Sequence, residues 1–443
     1  MSIEHEDLQG LLARGYPSLR AATYVLLAIT DAAAARAWLG SLQVTPAPVR
    51  LPETALNVAL APSGLRKLGL SEDTLQQFSN EFSAGMTTAH RRRMLGDQGE
   101  SAPEHWQWGG PSTPTIDVLL LLFATDDAAL AQHHSAIAAG YAGVSEILRL
   151  DAVIDLDGRE HFGFADGISQ PTIAGLSSRT DTPSNTIQPG EVILGYANEY
   201  GRLTEHPPLA RNGSYLVFRH LSQDVRAFWR YVDGASGGDA ARRTWLAAKM
   251  VGRWPSGAPL TLTPDVDDPL LANANDFTYH QFDQFGLNCP ISAHVRRSHP
   301  RDSLDPDPGT ERSVSLDRRH RLLRRGREYG PPIADPFSEA AADEPDRGLF
   351  FICLCANIAR QFEFVQHTWL NNPKFAERYT EPDPIVGYHP PGAATFTVPA
   401  EPVRERYENL PQFVTTRGGG YFFLPALSAL RWLAQNVSSP VGS

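Results

Sequence analysis

The chain has 443 residues, of which 42% are hydrophobic and 20% charged. It is therefore long enough to bury one large core or two ordinary ones, and it is not a disordered, highly charged chain. Its 50 acidic and 39 basic residues give a formal net charge of −11, which argues against a nucleic-acid partner. Three cysteines, Cys289, Cys353 and Cys355, are too few for a disulfide framework, and we expect the last two to be buried apolar residues.

The first half of the chain alternates between strand-like and helix-like segments. Apolar, β-branched runs predict strands at residues 23–30, 56–61, 117–125 and 144–153. Alanine-rich runs predict helices in DAAAARAWLGSL, with Asp31 as its N-cap, and in DDAALAQHHSAIAAGY. The order β-α-β-β-α-β is that of a ferredoxin-like unit. A long insertion containing EHWQWGG separates the second and third strands.

The second half repeats this theme loosely. Strands are predicted at residues 213–221, 349–356 and 421–426, and helices in QDVRAFWRYV and NIARQFEFVQHTWL. We therefore predict two related α+β domains that join near residues 200–212. The N-terminal domain comprises residues 1–205 and the C-terminal domain residues 206–443.

The segment HFGFADGISQP places one carboxylate in a turn. Gly163 and Gly167 allow close backbone approach on either side of Asp166. An ordinary Asp-Gly turn is the simplest interpretation of such a pair. Because Phe162 and Phe164 flank the acid, however, we expect apolar surroundings and a raised pKa for Asp166, which would suit proton transfer.

A histidine in the segment CPISAHVRRSHPRD is a candidate ligand. His294 follows apolar residues and precedes Arg296, Arg297 and Arg301. A lone histidine is more often a core or surface residue, but arginines beside a ligating histidine suit a cofactor that carries carboxylates. His299 is the competing ligand, although its His-Pro context is more typical of a loop.

The segment RRHRLLRRGREYGPPI contains six arginines between Arg318 and Arg327. The cluster could form a solvated face. If the segment is extended, Arg324 and Arg325 lie on opposite faces, so that one of them points inward as a preorganised cation.

These three blocks resemble motifs of the dye-decolorising peroxidase family, in its larger bacterial and fungal subgroup. The matching motifs are GFADG, AHVRR and RRGREYG. Further blocks that agree are LNVALAPSGLRKLGL, NGSYLVFRHL, GLFFICLCANIARQFEFVQHTW and FVTTRGGGYFFLPALSAL. The resemblance covers nearly the whole chain in consistent order. One departure is His299, which stands where the family usually has asparagine.

The resemblance implies an α+β fold of two ferredoxin-like domains of the dimeric α+β barrel type, each with an antiparallel sheet and peripheral helices. It implies haem b (iron protoporphyrin IX) as the cofactor. The implied activity is the reduction of hydrogen peroxide and the one-electron oxidation of aromatic, phenolic or dye-like donors through a ferryl intermediate. The alternative function is that of a haem-handling protein of the same fold, either a haem carrier or an iron-release protein.

Carried over residue by residue, the resemblance assigns roles to eight positions. Asp166 is the distal acid/base, Arg324 the distal arginine and His294 the axial iron ligand. Asp383 is expected behind the imidazole, Arg296 at a haem propionate, and Leu349 and Phe351 along the distal side. The resemblance places a surface electron-transfer tyrosine at Tyr329, for which a packing residue in a turn is the alternative interpretation. Trp369, at the end of the helix that follows LFFICLCA, is a weaker candidate for electron transfer.

The expected partners are hydrogen peroxide and small aromatic donors, without nucleic acid or membrane; a homo-oligomer is compatible with the sequence. The N-terminal segment MSIEHEDLQGLLARGY is acidic and resembles neither a secretory nor a twin-arginine signal. No stretch approaches the roughly 18 apolar residues of a membrane span. We therefore expect a cytoplasmic protein.

Overall fold

Strands from both halves of the chain form one antiparallel sheet. A computed structural model of the chain describes residues 2–50, 52–153, 158–177, 183–339 and 344–435. Within these ranges the strands are β1 (Ala21–Ile29), β2 (Thr54–Leu60), β3 (Val118–Ala124), β4 (Val144–Val153), β5 (Thr172–Ile173), β6 (Thr186–Ile187), β7 (Ser214–Gln223), β8 (Leu323–Arg324), β9 (Arg327–Tyr329), β10 (Gly348–Cys355), β11 (Thr395–Val398), β12 (Glu405–Glu408) and β13 (Val414–Leu424).

Helices surround this sheet. The α-helices of the described residues are α1 (Gly10–Ala13), α2 (Ala32–Ser41), α3 (Pro62–Lys67), α4 (Glu72–Leu75), α5 (Asn80–Ala84), α6 (Ala89–Leu95), α7 (Asp127–Ala138), α8 (Val225–Ala235), α9 (Ala240–Val251), α10 (Tyr279–Asp283), α11 (His294–Ser298), α12 (Glu311–Arg318) and α13 (Leu427–Gln435). Single 3₁₀ turns lie at His5–Asp7, Gly99–Ser101, Pro103–His105, Pro183–Asn185, Pro189–Glu191, Pro208–Ala210, Pro269–Leu271 and Phe375–Glu377.

The order of the strands confirms the predicted ferredoxin-like pattern. The sheet runs β7-β13-β2-β3-β1-β4-β9-β10, β8 also pairs with β10, and β10 returns to pair with β7. The strands therefore form a closed ring, that is, a barrel. The first-half strands stand in the order β2-β3-β1-β4, as the predicted β-α-β-β-α-β unit requires. The division of the chain at residues 205 and 206 remains a prediction.

Side chains alternate between the two faces of the sheet, and both faces are buried. Tyr24 on β1 contacts Phe218 on β7 and Phe350 on β10, with ring centroids 5.5 and 5.7 Å apart. Because β1 pairs with neither β7 nor β10, the three aromatic rings meet across the interior of the ring of strands. Cys353 and Cys355 face the other side, where both are 0% exposed in an apolar cluster, which confirms their predicted role.

Two predicted helices illustrate how local chemistry sets the elements. The side chain of Asp31 accepts a hydrogen bond from the N–H of Ala34 at the start of α2, so the predicted N-cap is confirmed. The helix predicted in NIARQFEFVQHTWL is present but wider than an α-helix. It consists of π-helical segments Ala359–Glu363 and Val365–Asn371, in which the N–H of Glu363 donates to the carbonyl of Ile358, five residues earlier.

The insertion between β2 and β3 packs on β13 through Trp108. This tryptophan is 1% exposed and forms a β-bridge with Gly418. A Cβ atom at Gly418 would lie 2.5 Å from Nε1 of Trp108, so only glycine fits at this position. A Cβ atom at Gly419 would likewise lie 2.7 Å from Sδ of Met86 in the insertion, so the close approach of the insertion accounts for two of the three successive glycines in β13.

No helix among the described residues has both the length and the apolar character needed to cross a membrane. This finding does not test the predicted cytoplasmic location, which remains a prediction.

Candidate active site

A large cavity lies against the faces of β7, β10 and β13. It encloses about 1870 Å³ of space free of protein atoms, its open mouth included. Leu221, Leu349, Phe351 and Val414 supply apolar side chains to its wall. Because β7 and β10 pair with Leu349 opposite Leu221, these side chains lie side by side. The structure therefore places Leu349 and Phe351 at the cavity; the distal position that the resemblance implies for them remains a prediction.

Asp166 and Arg324 meet at one wall of the cavity. Nη1 of Arg324 lies 3.2 Å from Oδ1 of Asp166, although 158 residues separate them. The Asp166 side chain is 43% exposed because it faces the cavity. Arg325, the next residue, turns the other way and donates to the carbonyls of Leu11 and Leu12. The predicted alternation of the two arginines is confirmed.

The electrostatics of Asp166 differ from the expectation. Burial alone would raise the pKa of this carboxyl group, but the charge and hydrogen bond of Arg324 and the N–H of Gly167 outweigh it, so the pKa is lowered. The raised pKa expected from the flanking phenylalanines is therefore wrong. Asp166 is a carboxylate at neutral pH.

A second carboxyl group in the cavity, Glu160, was missed by the sequence reasoning. It lies six residues before Asp166, in the same turn, and lines the same cavity. Its oxygens accept hydrogen bonds from the N–H groups of Phe162 and Phe164 at 2.9 and 3.0 Å, and from Nε2 of Gln223 at 2.9 Å. Burial raises the pKa of Glu160 to about 7 despite these hydrogen bonds. The only signal in the sequence was an acidic residue directly before HFGF.

His294 lies at the start of α11 and reaches the cavity. Its Nδ1 atom is 2.9 Å from Oδ2 of Asp383, the carboxylate that the resemblance placed behind it. With Nδ1–H donating to Asp383, Nε2 keeps its lone pair for a ligand. Burial would lower the pKa of His294, but the charge and hydrogen bond of Asp383 outweigh it and raise the pKa.

Asp383 is held from several sides. Its Oδ1 atom accepts from the N–H groups of Ile385 and Val386, each at 2.9 Å. Its own N–H donates to the carbonyl of Leu370 at 2.7 Å, and Nε2 of His389 donates to its carbonyl at 2.7 Å. The side chain is 0% exposed. Burial would raise its pKa, but His294 and the charge of Arg297 lower it, so Asp383 is an ionised acceptor for the imidazole.

Of the residues that the structure describes, four arginines line the cavity, namely Arg219, Arg253, Arg321 and Arg324. Arg296, which we expected at a propionate, is not among them. Its Nη1 atom contacts Oδ2 of Asp283 at 3.2 Å and the carbonyl of Cys289 at 2.8 Å. Residues two apart on a helix point in nearly opposite directions, so Arg296 turns away from the cavity that His294 faces.

His299, the competing ligand, is engaged elsewhere. Its Nε2 atom lies 3.0 Å from Oδ2 of Asp317 and 2.6 Å from Nη1 of Arg321. Burial, followed by the charge of Arg321, lowers the pKa of His299 to about 3. His299 is therefore a neutral residue of the cavity wall, tied to Asp317 and Arg321 through Nε2.

The predicted surface position of Tyr329 and Trp369 is wrong. Their exposed fractions are 7% and 3%. Tyr329 stacks on Phe350 with centroids 4.4 Å apart, and its hydroxyl donates to Asp346 at 3.1 Å. Trp369 packs edge-on against His320, a cavity-lining residue, at 5.1 Å. A donor outside the protein contacts neither ring directly; their role in electron transfer remains a prediction.

Comparisons with known proteins fit this geometry. No family model matches the chain. The chain is 32% identical to the dye-decolorising peroxidase msp1 of Mycetinis scorodonius, over 96% of its own length and 86% of that protein. A dye-decolorising peroxidase whose haem pocket was engineered for asymmetric sulfoxidation has a TM-score of 0.84 and 30% identity, covering 98% of this chain and 100% of the other.

A dye-decolorising peroxidase solved in complex with 2,6-dimethoxyphenol has a TM-score of 0.82 and 28% identity, with 98% and 100% coverage. Identity above 30% over nearly the whole chain, together with the same fold, shows the family. The chain belongs to the dye-decolorising peroxidases, the oxidoreductases that use hydrogen peroxide as the electron acceptor.

Proposed function

We propose that the cavity binds haem b, and that Nε2 of His294 would hold its iron. One observation carries this proposal. A histidine whose Nδ1 is engaged by a buried carboxylate lines the same cavity as a paired carboxylate and guanidinium. An imidazole oriented in this way is the usual form of an axial histidine.

The chemistry of the cavity wall fits this cofactor. The porphyrin is a broad apolar ring that carries two carboxylates. Leu221, Leu349 and Phe351 offer apolar surface to the ring, and Arg253 and Arg321 offer buried cations to the carboxylates. Burial lowers the pKa of Arg253 to about 10, so it remains a cation at neutral pH. We therefore assign the propionates to these arginines rather than to Arg296.

When bound, the haem iron supplies the redox chemistry by which peroxide is reduced and donors are oxidised. Asp166 is ionised and takes a proton from one oxygen of the peroxide, then returns it to the other as the O–O bond breaks. Since its Oδ1 accepts from Arg324, Oδ2 is the atom that holds the proton. Arg324 stabilises the negative charge that develops on the leaving oxygen. Asp383 keeps the proton of His294 on Nδ1.

The donors are aromatic or phenolic molecules that give up one electron at a time. Small phenols reach the cavity through its open mouth. Bulky dyes stay outside and pass electrons inward through Tyr329 or Trp369, the two buried aromatic residues that the resemblance and the sequence suggested. The paired Asp166 and Arg324 favour a peroxidase over a haem carrier, because a carrier has no need of a proton-transfer pair beside its haem.

The test uses purified, haem-loaded protein. We expect a Soret band and peroxide-dependent oxidation of both 2,6-dimethoxyphenol and an anthraquinone dye. A Soret band without peroxide-dependent oxidation of either donor would leave the haem-handling function. Failure of the protein to bind haem at all would overturn the proposal.

A further inference from the structure

Arg297 is a buried cation beside the candidate iron ligand, and the proposed chemistry does not use it. It lies three residues after His294 on α11 and is 0% exposed. All its hydrogen bonds go to backbone carbonyls: those of Trp369 at 2.6 Å, Glu381 at 2.7 Å, Asn372 at 2.7 Å and Leu370 at 3.4 Å. The guanidinium thus joins the helix that carries His294 to two other segments.

Both of these segments hold Asp383. The first is the end of the π-helical segment Val365–Asn371, whose last carbonyls lack partners within the helix. The N–H of Asp383 donates to one of them, that of Leu370. The second is the stretch that leads into Asp383, which Arg297 contacts at the carbonyl of Glu381, two residues earlier. One side chain therefore ties together the backbone of His294, the helix end and the loop of Asp383.

Stability alone does not favour a charge at this position. Taking a guanidinium out of water is costly, and carbonyl partners return only part of that cost. Burial lowers the pKa of Arg297 to about 10, so the group is still cationic at neutral pH. The carboxylates of Asp383 and Glu381 are the charges that act on it. A well-packed apolar side chain would fill the space without the cost of desolvation.

We infer that Arg297 is a positioning residue that fixes Asp383 against Nδ1 of His294. Residues three apart on a helix lie on the same face, so His294 and Arg297 both face the Asp383 segment. The inference rests on the proposed function, in which His294 binds the iron. It predicts that loosening the Arg297 contacts weakens the hydrogen bond between His294 and Asp383 without removing either partner.

The experiment measures that hydrogen bond by resonance Raman spectroscopy of the reduced, haem-loaded protein, through the iron–histidine stretching band. Asp383→Asn provides the reference, because it removes the charged acceptor. Arg297→Lys keeps the charge but cannot reach four carbonyls from one nitrogen, and Arg297→Gln is a second variant in case lysine disrupts folding. Arg327→Lys is the matched control, since Arg327 is also buried and donates to the carbonyls of Gly15 and Tyr16.

We expect the Arg297 variants to move the band to lower frequency, towards that of Asp383→Asn, while Arg327→Lys leaves the band in place at a comparable loss of Tm. Combining Arg297→Lys with Asp383→Asn should move the band no further than Asp383→Asn alone. An unmoved band in both Arg297 variants, or additive shifts in the double variant, would overturn the role of Arg297. If Asp383→Asn itself leaves the band unmoved, the axial assignment of His294 fails as well.

Discussion

Nδ1 of His294 lies 2.9 Å from Oδ2 of Asp383, and the two residues are 89 positions apart in the chain. The imidazole is partly accessible from the cavity, with 29% of its side chain exposed, whereas the carboxylate is fully buried. One nitrogen is therefore committed to the protein and the other is available to a cofactor. This division of the ring underlies the first prediction.

His294→Ala should purify with little bound haem, because the side chain of His294 is 29% exposed at the cavity with a buried carboxylate behind it, whereas that of His299 is only 8% exposed. The ratio of Soret to protein absorbance measures the loss. His134→Ala is a control at a histidine remote from the cavity, paired with Glu146. If His294→Ala retains full haem and an unchanged spectrum, the axial assignment is wrong and His299 becomes the next candidate.

Asp166→Asn and Arg324→Leu should retain haem but slow the reaction with peroxide. Loss of a positioned acid/base costs ~10²–10⁴ in rate. Since Arg324 lowers the pKa of Asp166, Arg324→Leu should also move the acid limb of the pH–rate profile to higher pH. Stopped-flow mixing with peroxide across pH tests both effects. Unchanged rates in both variants would contradict the mechanism.

Tyr329→Phe should slow the oxidation of a bulky anthraquinone dye and leave a small phenol and the peroxide step nearly unchanged. The variant keeps the ring stacked on Phe350 and removes only the hydroxyl that donates to Asp346. Tyr24→Phe, at another buried tyrosine, controls for the loss of a hydroxyl. Equal losses on both donors would indicate structural damage, and no loss on the dye would mean that electrons take another route.

Glu160 should make unfolding of the haem-free protein dependent on pH. Its folded pKa of about 7 lies above its ordinary value of 4.5. The stability that Glu160 contributes is therefore fully present below pH 4.5 and is lost as the pH rises through about 7. The total loss in the free energy of unfolding is about 3 kcal/mol at most. Glu160→Gln should flatten this decline in urea titrations, whereas Glu311→Gln on the surface should not. Parallel pH profiles for wild type and Glu160→Gln would refute the prediction.

His220→Leu should stabilise the protein by about 1 kcal/mol, because a buried polar group without partners is costly. Both ring nitrogens of His220 are buried without a hydrogen-bond partner among the described residues. Burial lowers its pKa to about 4, below its unfolded value, so the wild type loses stability as the pH falls from 6.5 towards 4. The gain measured by thermal unfolding should therefore grow in acid. A Tm of His220→Leu below that of the wild type at every pH would contradict this prediction.

The strands could be predicted because their signal is local. Apolar runs of seven to ten residues mark β1, β2, β3 and β4 wherever their partners lie. The meeting of Asp166 and Arg324 could not be read from periodicity, since 158 residues separate them; it came from the family resemblance. The same distance explains the error over the pKa of Asp166, because the neighbouring phenylalanines are visible in sequence and the arginine partner is not.

The arginines after His294 show a second limit. Arg296 and Arg297 are adjacent and chemically identical in sequence. Only the start of α11 at His294 decides that Arg296 turns to Asp283 and Arg297 to the Asp383 segment. An error of one position in a helix rotates a side chain by about 100°. Motif order alone could not settle which arginine belongs to which partner.

The closed ring of strands has a consequence for biosynthesis. Strand β2 pairs with β13 through Leu60 and Phe423, which are 423 − 60 = 363 residues apart. At about 5–20 residues per second, a ribosome needs about 20–70 s to supply the missing neighbour. During that time one edge of β2 in the nascent chain is open and can pair with another polypeptide. Chaperone demand during translation should therefore be concentrated on the first half of the chain, before its last strand exists.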